Sequence, residues 1–365
     1  MGDCVFCKES SPLIAKALGV CLQCIRKSPE EALAQAEKTH QQSRAVFGLP
    51  ETVPRDPQGI PCRICVNECH ISENETGYCG LRRNEGGRLL GISARLGKLS
   101  WYHDPLPTNC VGDWVCAGGT GAGYPQYAHR HGAEYGYRNL AVFFQACSFN
   151  CLYCQNWHFR QQGLKSQPRP VEELAAAVDE TTSCICYFGG DPVPQIPFSL
   201  KAANLAQDRK KGEILRICWE TNGSMQTNLL DRMLDVALIS GGCLKFDLKA
   251  WDETLHKVLT GITNQRTLEN FARAGSKITQ RSDPPLLIAS TLLVPGYIDA
   301  EEVREIARFI ASISTTLPYS LLAFYPDFYL TDLPTTPKTL ADQCLAAAHE
   351  EGLENVRLGN IHLLS

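Results

Sequence analysis

The sequence predicts an α/β protein: a partial (β/α)6 barrel behind a cysteine-rich N-terminal metal-binding extension. Three observations carry this. From Leu140 onward, apolar runs alternate with amphipathic stretches, the pattern of parallel strands joined by helices. Six such units make three-quarters of a (β/α) barrel. Before them, cysteines recur in CxxC-like groups, the spacing of thiols that share a metal.

Composition narrows the class. The chain has 365 residues, 44% hydrophobic and 20% charged, as in ordinary globular proteins. A net charge of -4 gives no electrostatic reason to expect a nucleic-acid partner. No run of 18 apolar residues and no signal h-region is visible, so no membrane partner is expected. Met1-Gly2-Asp3-Cys4 begins like a myristoylation site, but Phe6 stands where Ser or Thr is needed. Eighteen cysteines in a long chain without a signal favour metal and cluster binding in a reducing cytoplasm over disulfides.

In chain order, Cys4-Val-Phe-Cys7 and Cys21-Leu-Gln-Cys24 form two knuckles of zinc-ribbon or rubredoxin-like spacing, suited to one tetrahedral zinc or iron, zinc preferred. A nucleic-acid finger is the lesser reading, because no basic helix accompanies them. Ser28-Pro-Glu-Glu31 reads as a capping box opening a helix to about Val46, with Gly48 closing it. Pro50, Pro54, Pro57 and Gly59 mark a linker. Next come Cys62, Cys65, Cys69 and Cys79, irregular for zinc but workable, with zinc and an auxiliary iron-sulfur cluster both open. Residues 88–102 read as a small hairpin. Gly118–Gly123 lacks the strand-turn-helix context of a dinucleotide fingerprint and reads as a loop. Cys110 and Cys116 could ligate something but read better as buried free thiols, and His129 and His131 read as polar loop residues. The expected domains are a 1–27 knuckle, a 28–60 helix and linker, a 61–135 cysteine-rich segment with the hairpin, and the 136–365 barrel.

Strands are expected at 140–146, 184–189, 214–219, 244–249, 286–293, 319–325 and 356–361. Cys184, Cys186, Cys218 and Cys243 fall in or beside them and read as core. Function in such barrels sits at the C-terminal strand ends, and that is where the motifs fall. After the first strand comes Cys147-Ser-Phe-Asn-Cys151-Leu-Tyr153-Cys154. Three thiols on one loop can hold three irons of a cubane cluster and leave the fourth open, whereas a ferredoxin closes it with four. After the second comes Gly189-Gly-Asp-Pro192, after the third Glu220-Thr-Asn-Gly223, and on the fourth Asp247-Leu-Lys249. Asp247 and Lys249, two apart, share a face of their strand.

The CxxxCxxC loop with its aromatic resembles that of the radical S-adenosylmethionine (radical SAM) enzymes. Residues 60–365 are similar to the subgroup containing the pyruvate formate-lyase activating enzymes and the AmmeMemoRadiSam-type proteins. Lys249-Ala-Trp-Asp-Glu253, Val294-Pro-Gly296 and Leu321–Asp327 follow that family's order. The resemblance implies a [4Fe-4S] cluster on Cys147, Cys151 and Cys154, whose open iron chelates S-adenosylmethionine. One electron from the cluster then cleaves the sulfonium, and the deoxyadenosyl radical abstracts hydrogen from a substrate. It implies that Gly189, Gly190, Asp191 and Pro192 meet the cofactor's amino group, with Asp191 in place of the family's Glu. Tyr153 would meet the adenine and Lys249 the carboxylate, with Asn156 assisting. Asp247, Glu220 and Thr221 would hold a monovalent cation. Flavodoxin or ferredoxin would donate the electron, and a protein is one substrate class. Two departures put the formate-lyase substrate in doubt: Ser290 stands where the activating enzymes have Arg, and Pro326 where they have His. The competing reading is a non-catalytic zinc-binding interaction module on a barrel scaffold.

Overall fold

The computed structural model describes residues 1–365. One eight-stranded sheet organises it: β1 (Leu99–Pro105), β2 (Arg138–Phe144), β3 (Thr182–Gly189), β4 (Arg216–Thr221), β5 (Leu244–Asp247), β6 (Leu287–Leu293), β7 (Tyr319–Ala323) and β8 (Val356–Gly359). Spatial order follows chain order. Strands β2 to β8 are parallel, and β1 adds antiparallel to β2. Residues of both edge strands, Tyr102 and Asp104 of β1 and Arg357 and Gly359 of β8, line one cavity, so the sheet curls into an incomplete barrel. Strands β2 to β7 bury nearly every residue because helices cover one face and the lumen the other.

Besides two short helices at Ala117–Thr120 and Phe159–Lys165, the helices are α1 (Leu22–Lys27), α2 (Pro29–Ala45), α3 (Val171–Ala176), α4 (Ile196–Arg209), α5 (Thr227–Ser240), α6 (Glu253–Thr260), α7 (Gln265–Gly275), α8 (Ala300–Ile313) and α9 (Lys338–Glu350). In α8 the buried Val303, Ile306, Ala307 and Ile310 recur every three to four residues, which turns one stripe onto the core. Its N-cap is Asp299, whose Oδ1 accepts from Glu302 N at 3.0 Å. The reciprocal half of that cap is absent: the Glu302 carboxylate accepts instead from Trp251 N at 2.8 Å and Asp252 N at 3.1 Å.

Three local expectations are corrected. The hairpin lies at 82–91 rather than 88–102. Gly86 and Gly87 both have positive φ there, as a two-residue hairpin turn requires. Residues 99–105 instead leave the hairpin and cover the barrel edge. The strand placed at 214–219 runs from Arg216 to Thr221, which puts Glu220 and Thr221 inside its last turn of pleat. Ser28 makes no side-chain cap bond, because it joins α1 directly to α2 and its N–H still closes α1 on Cys24 O.

The N-terminal unit docks on the barrel. Tyr297 Oη accepts from Ala15 N at 3.0 Å and donates to Val20 O at 3.1 Å, while Arg26 pairs with Asp299 at 2.9 Å. Helix α2 meets α6 through His40 Nε2, 3.0 Å from Val258 O. The segment 106–137 enters the gap between β1 and β8. Trp114 Nε1 donates to Ser320 Oγ at 3.1 Å, and Arg357 pairs with Asp113 at 3.0 Å. Deep in the same region Glu134, fully buried, pairs with Arg216 through both oxygens.

Candidate active site and metal centres

The chain turns after β2 into the loop carrying Cys147, Cys151 and Cys154. Asn150 at its centre anchors it. Its N–H donates to Thr260 O at 2.8 Å, and its amide nitrogen lies 3.0 Å from His40 Nδ1 and 2.8 Å from Ser43 Oγ. Arg160 donates to its Oδ1 at 3.1 Å. The loop is thus fixed from α2 and α6 together. Phe149 N points at Cys147 Sγ, 3.3 Å away, and Asn222 Nδ2 lies 3.8 Å from the same sulfur. Burial raises the Cys147 pKa well above its ordinary value, and the Phe149 N–H aimed at the sulfur opposes that shift by favouring the thiolate, the ligating form.

The three thiols open on a cavity of ≈ 200 Å³ at the C-terminal end of the sheet. Tyr153, Gly189, Gly190 and Asp191 line it, as do Glu220, Thr221, Asp247 and Lys249 from the next strand ends. Asn156 and Ser290 are also there, while Pro192 is not and instead opens the turn that follows. Gly189 has φ +102, and a Cβ on Gly190 would stand 2.4 Å from Ala146 O, so both positions demand glycine. The result is backbone exposed to the cavity at the edge of the cysteine loop.

Charge in this cavity is arranged in pairs. The Lys249 ammonium contacts the Asp247 carboxylate and lies 5.8 Å from the Tyr153 ring centre. Burial opposes its charge, but Asp247, Cys151 and Tyr153 together outweigh that cost and raise its pKa. Asp191 turns inward. It accepts from Val193 N at 2.7 Å, Asn222 N at 2.7 Å and Thr221 Oγ1 at 3.3 Å, which ties the ends of β3 and β4 together. Burial pushes its pKa up to about 7 despite those donors. Glu220 reaches Lys245 at 3.5 Å. Glu220, Thr221 and Asp247, the expected cation ligands, therefore each have a different partner.

The N-terminal thiols behave differently from the loop thiols. Cys4, Cys7, Cys21 and Cys24 bring all four sulfurs within 4.8 Å of one another. The Cys7–Cys21 separation is 3.8 Å. A tetrahedral ion with metal–sulfur bonds of about 2.3 Å has an edge of about 3.8 Å, so these residues fit one ion. Burial resists ionisation of Cys4, yet backbone donors at Cys7, Cys21 and Phe6 bring its pKa down to about 6. Cys62, Cys65, Cys69 and Cys79 converge on one small cavity beside Arg82, but no three of their sulfurs reach single-ion spacing. The three sulfurs of the Cys147 loop do not reach single-ion spacing either.

Comparison with known proteins bears on this geometry. Residues 141–310 match the family described as the Radical SAM superfamily. The match runs from β2 into α8, the part of the barrel that carries the cysteine loop and the strand ends facing it. An uncharacterized protein of Methanocaldococcus jannaschii is 25% identical over 315 residues, 84% of this chain and 83% of that one. The pyruvate formate-lyase 1-activating enzyme of Escherichia coli is 23% identical over 191 residues, 50% of this chain and 73% of that one. The isethionate sulfite-lyase activating enzyme of Oleidesulfovibrio alaskensis is 28% identical over 166 residues, 43% and 49% of the two chains. A radical SAM domain carries with it a [4Fe-4S] cluster and S-adenosylmethionine. No helix of the chain is long and apolar enough to cross a membrane.

Sequence reasoning missed one feature. Cys110, Cys116, Cys184, Cys186, Cys218 and Cys243, read above as separate core or loop thiols, all line a second cavity of ≈ 320 Å³ inside the barrel. The period-two placement of Cys184 and Cys186 on β3 was the available signal.

Proposed function

We propose that the protein is a radical SAM enzyme that abstracts hydrogen from its substrate at the barrel mouth. Cys147, Cys151 and Cys154 hold the [4Fe-4S] cluster, and Gly189, Gly190, Tyr153 and Lys249 hold S-adenosylmethionine. The observation that carries this reading is the convergence of three loop thiols and the ends of three further strands on one cavity. When bound, these groups supply one-electron reductive cleavage of the sulfonium. The protein's own residues do the rest. The exposed backbone at Gly190 would receive an ammonium, and Lys249 would take a carboxylate while Asp247 keeps it charged and aimed. Asp191 locks β3 to β4, so that glycine backbone and strand ends keep their spacing. Tyr153 and Phe149, both buried, would help keep water from the cofactor cavity.

The activating-enzyme relatives support hydrogen abstraction from a protein glycine or another peptide. Ser290 and Pro326, in place of Arg and His, favour a substrate other than formate-lyase. A flavodoxin or ferredoxin supplies the electron, and zinc occupies the N-terminal knuckle. The test is anaerobic reconstitution with iron and sulfide, then dithionite and S-adenosylmethionine, with Cys151→Ala beside the wild type. 5'-Deoxyadenosine from the wild type alone is the expected result. Zinc without iron and no deoxyadenosine would leave the scaffold reading standing.

A further inference from the structure

The second cavity is built from sulfur. Six of its 29 lining residues are cysteines, where the chain-wide share of 18 in 365 would place one or two. They come from separate parts of the chain. Cys184 and Cys186 lie on β3, Cys218 on β4 and Cys243 just before β5, all turned to the lumen. Cys110 and Cys116 arrive on the segment that fills the gap between β1 and β8. Cys218 and Cys243 are 3.8 Å apart, and Cys186 packs in one cluster with both. Thiols gathered only to fill a core would pack without a void. Here they face ≈ 320 Å³ of space.

A buried cation stands among them. The Lys245 side chain is 3% exposed, and its Nζ lies 2.6 Å from Cys110 Sγ and 3.2 Å from Cys186 Sγ. Its carboxylate partner, Glu220, is at 3.5 Å and one-third exposed. Neutral thiols are weak acceptors and compensate a buried ammonium poorly. Thiolate ligands at Cys110 and Cys186 would bring negative charge closer to this lysine than Glu220 does. The other cations of the cavity are already matched, Arg216 by Glu134 and Arg357 by Asp113, and ask for nothing more.

We infer that the barrel lumen binds a second iron-sulfur cluster, held by thiolates drawn from Cys110, Cys116, Cys184, Cys186, Cys218 and Cys243. No three of these sulfurs stand close enough to share one ion, so a single zinc held by three or more of them does not fit the lining. The two cavities share Val111, Gln155, Phe188, Glu220 and Leu322. The cluster would therefore lie beside the space where substrate meets the cofactor. This inference goes beyond the function proposed above and does not rest on it.

The test uses the full chain with Cys147, Cys151 and Cys154 all changed to Ala, which removes the first cluster from the measurement. After anaerobic reconstitution, iron and acid-labile sulfide are counted and Mössbauer spectra recorded. This parent is compared with the same chain carrying also C186A and C218A, or also C110S and C116S. The second pair lies outside the strands and guards against a folding defect, which circular dichroism would reveal. Adding C344A, a buried cysteine in α9 away from the cavity, is the control. Expected is a loss of about two to four irons per chain, with matching sulfide, in both double variants and none in the control. Equal iron in the parent and both double variants would overturn the inference. So would a parent that retains only zinc. Because every chain here already lacks the loop thiols, neither result bears on deoxyadenosine formation by the wild type.

Discussion

Acid should release the N-terminal helix from the cysteine loop, through His40. This residue is buried between α2, α6 and Asn150. With the Asn150 amide nitrogen facing Nδ1 and Val258 O facing Nε2, the neutral ring carrying its proton on Nε2 satisfies both neighbours. A second proton on Nδ1 would confront the Asn150 NH2, and burial penalises the charge as well, so the pKa falls from 6.5 to about 4. A depressed histidine contributes stability above its unfolded pKa and loses it as pH falls through the folded one. At pH 5 the unfolded side chain is almost fully protonated and the folded one about one-tenth so. Between pH 7.5 and 5.0 the linkage amounts to about 2 kcal/mol for this one group. His256, buried and also lowered to about 4, adds a similar amount. Urea unfolding of wild type and His40→Gln at both pH values, followed by tryptophan fluorescence under anaerobic conditions, reads the difference. The variant should be less stable at pH 7.5 but lose about 2 kcal/mol less on acidification. An acid loss equal to that of the wild type would refute the reasoning.

Three further outcomes are expected. Glu134→Gln leaves Arg216 charged in a buried site without its carboxylate, which should cost about 3–5 kcal/mol and be read by thermal unfolding. Gly190→Ala drives a methyl against Ala146 O, so equilibrium binding of S-adenosylmethionine should fall at least tenfold with the iron content unchanged. Cys4→Ser should remove one tightly held metal ion per chain, seen by elemental analysis, and expose residues 1–27 to protease while the barrel resists.

Much of the barrel was legible because its elements are long and periodic. The runs at 140–146 and 286–293 are nearly all apolar, as strands buried on both faces must be, and each motif then fell at a strand end. Legibility stopped where chain order and spatial order part. Residues 99–105 join the sheet only because a strand 40 residues later offers its edge, which no local pattern announces. Glu220 was placed beyond its strand because the inward residues Arg216, Cys218 and Glu220 are not a hydrophobic alternation. The six lumen thiols are scattered over more than 130 residues, so only folding brings them together. By contrast, the knuckle cysteines were legible because a metal site closed by two tight turns writes its geometry into local spacing. Ser28 shows the reverse case: its capping motif is intact in sequence, and the neighbouring helix takes its place in the chain for another purpose.

The docking of the first residues has a consequence for how the chain is made. Ala15 finds Tyr297 across 282 positions, Val20 across 277, and Arg26 finds Asp299 across 273. At ribosomal speeds of about 5–20 residues per second, those partners emerge roughly 15–60 s after the segment that needs them. Until then the knuckle has no surface to lie on, and it is too short to bury a core of its own. An ion gripped by four thiolates is what would keep it folded through that wait. Metal supply during synthesis, rather than after it, would then decide how much of the newborn chain finds α2 ready to receive the loop of Cys147, Cys151 and Cys154.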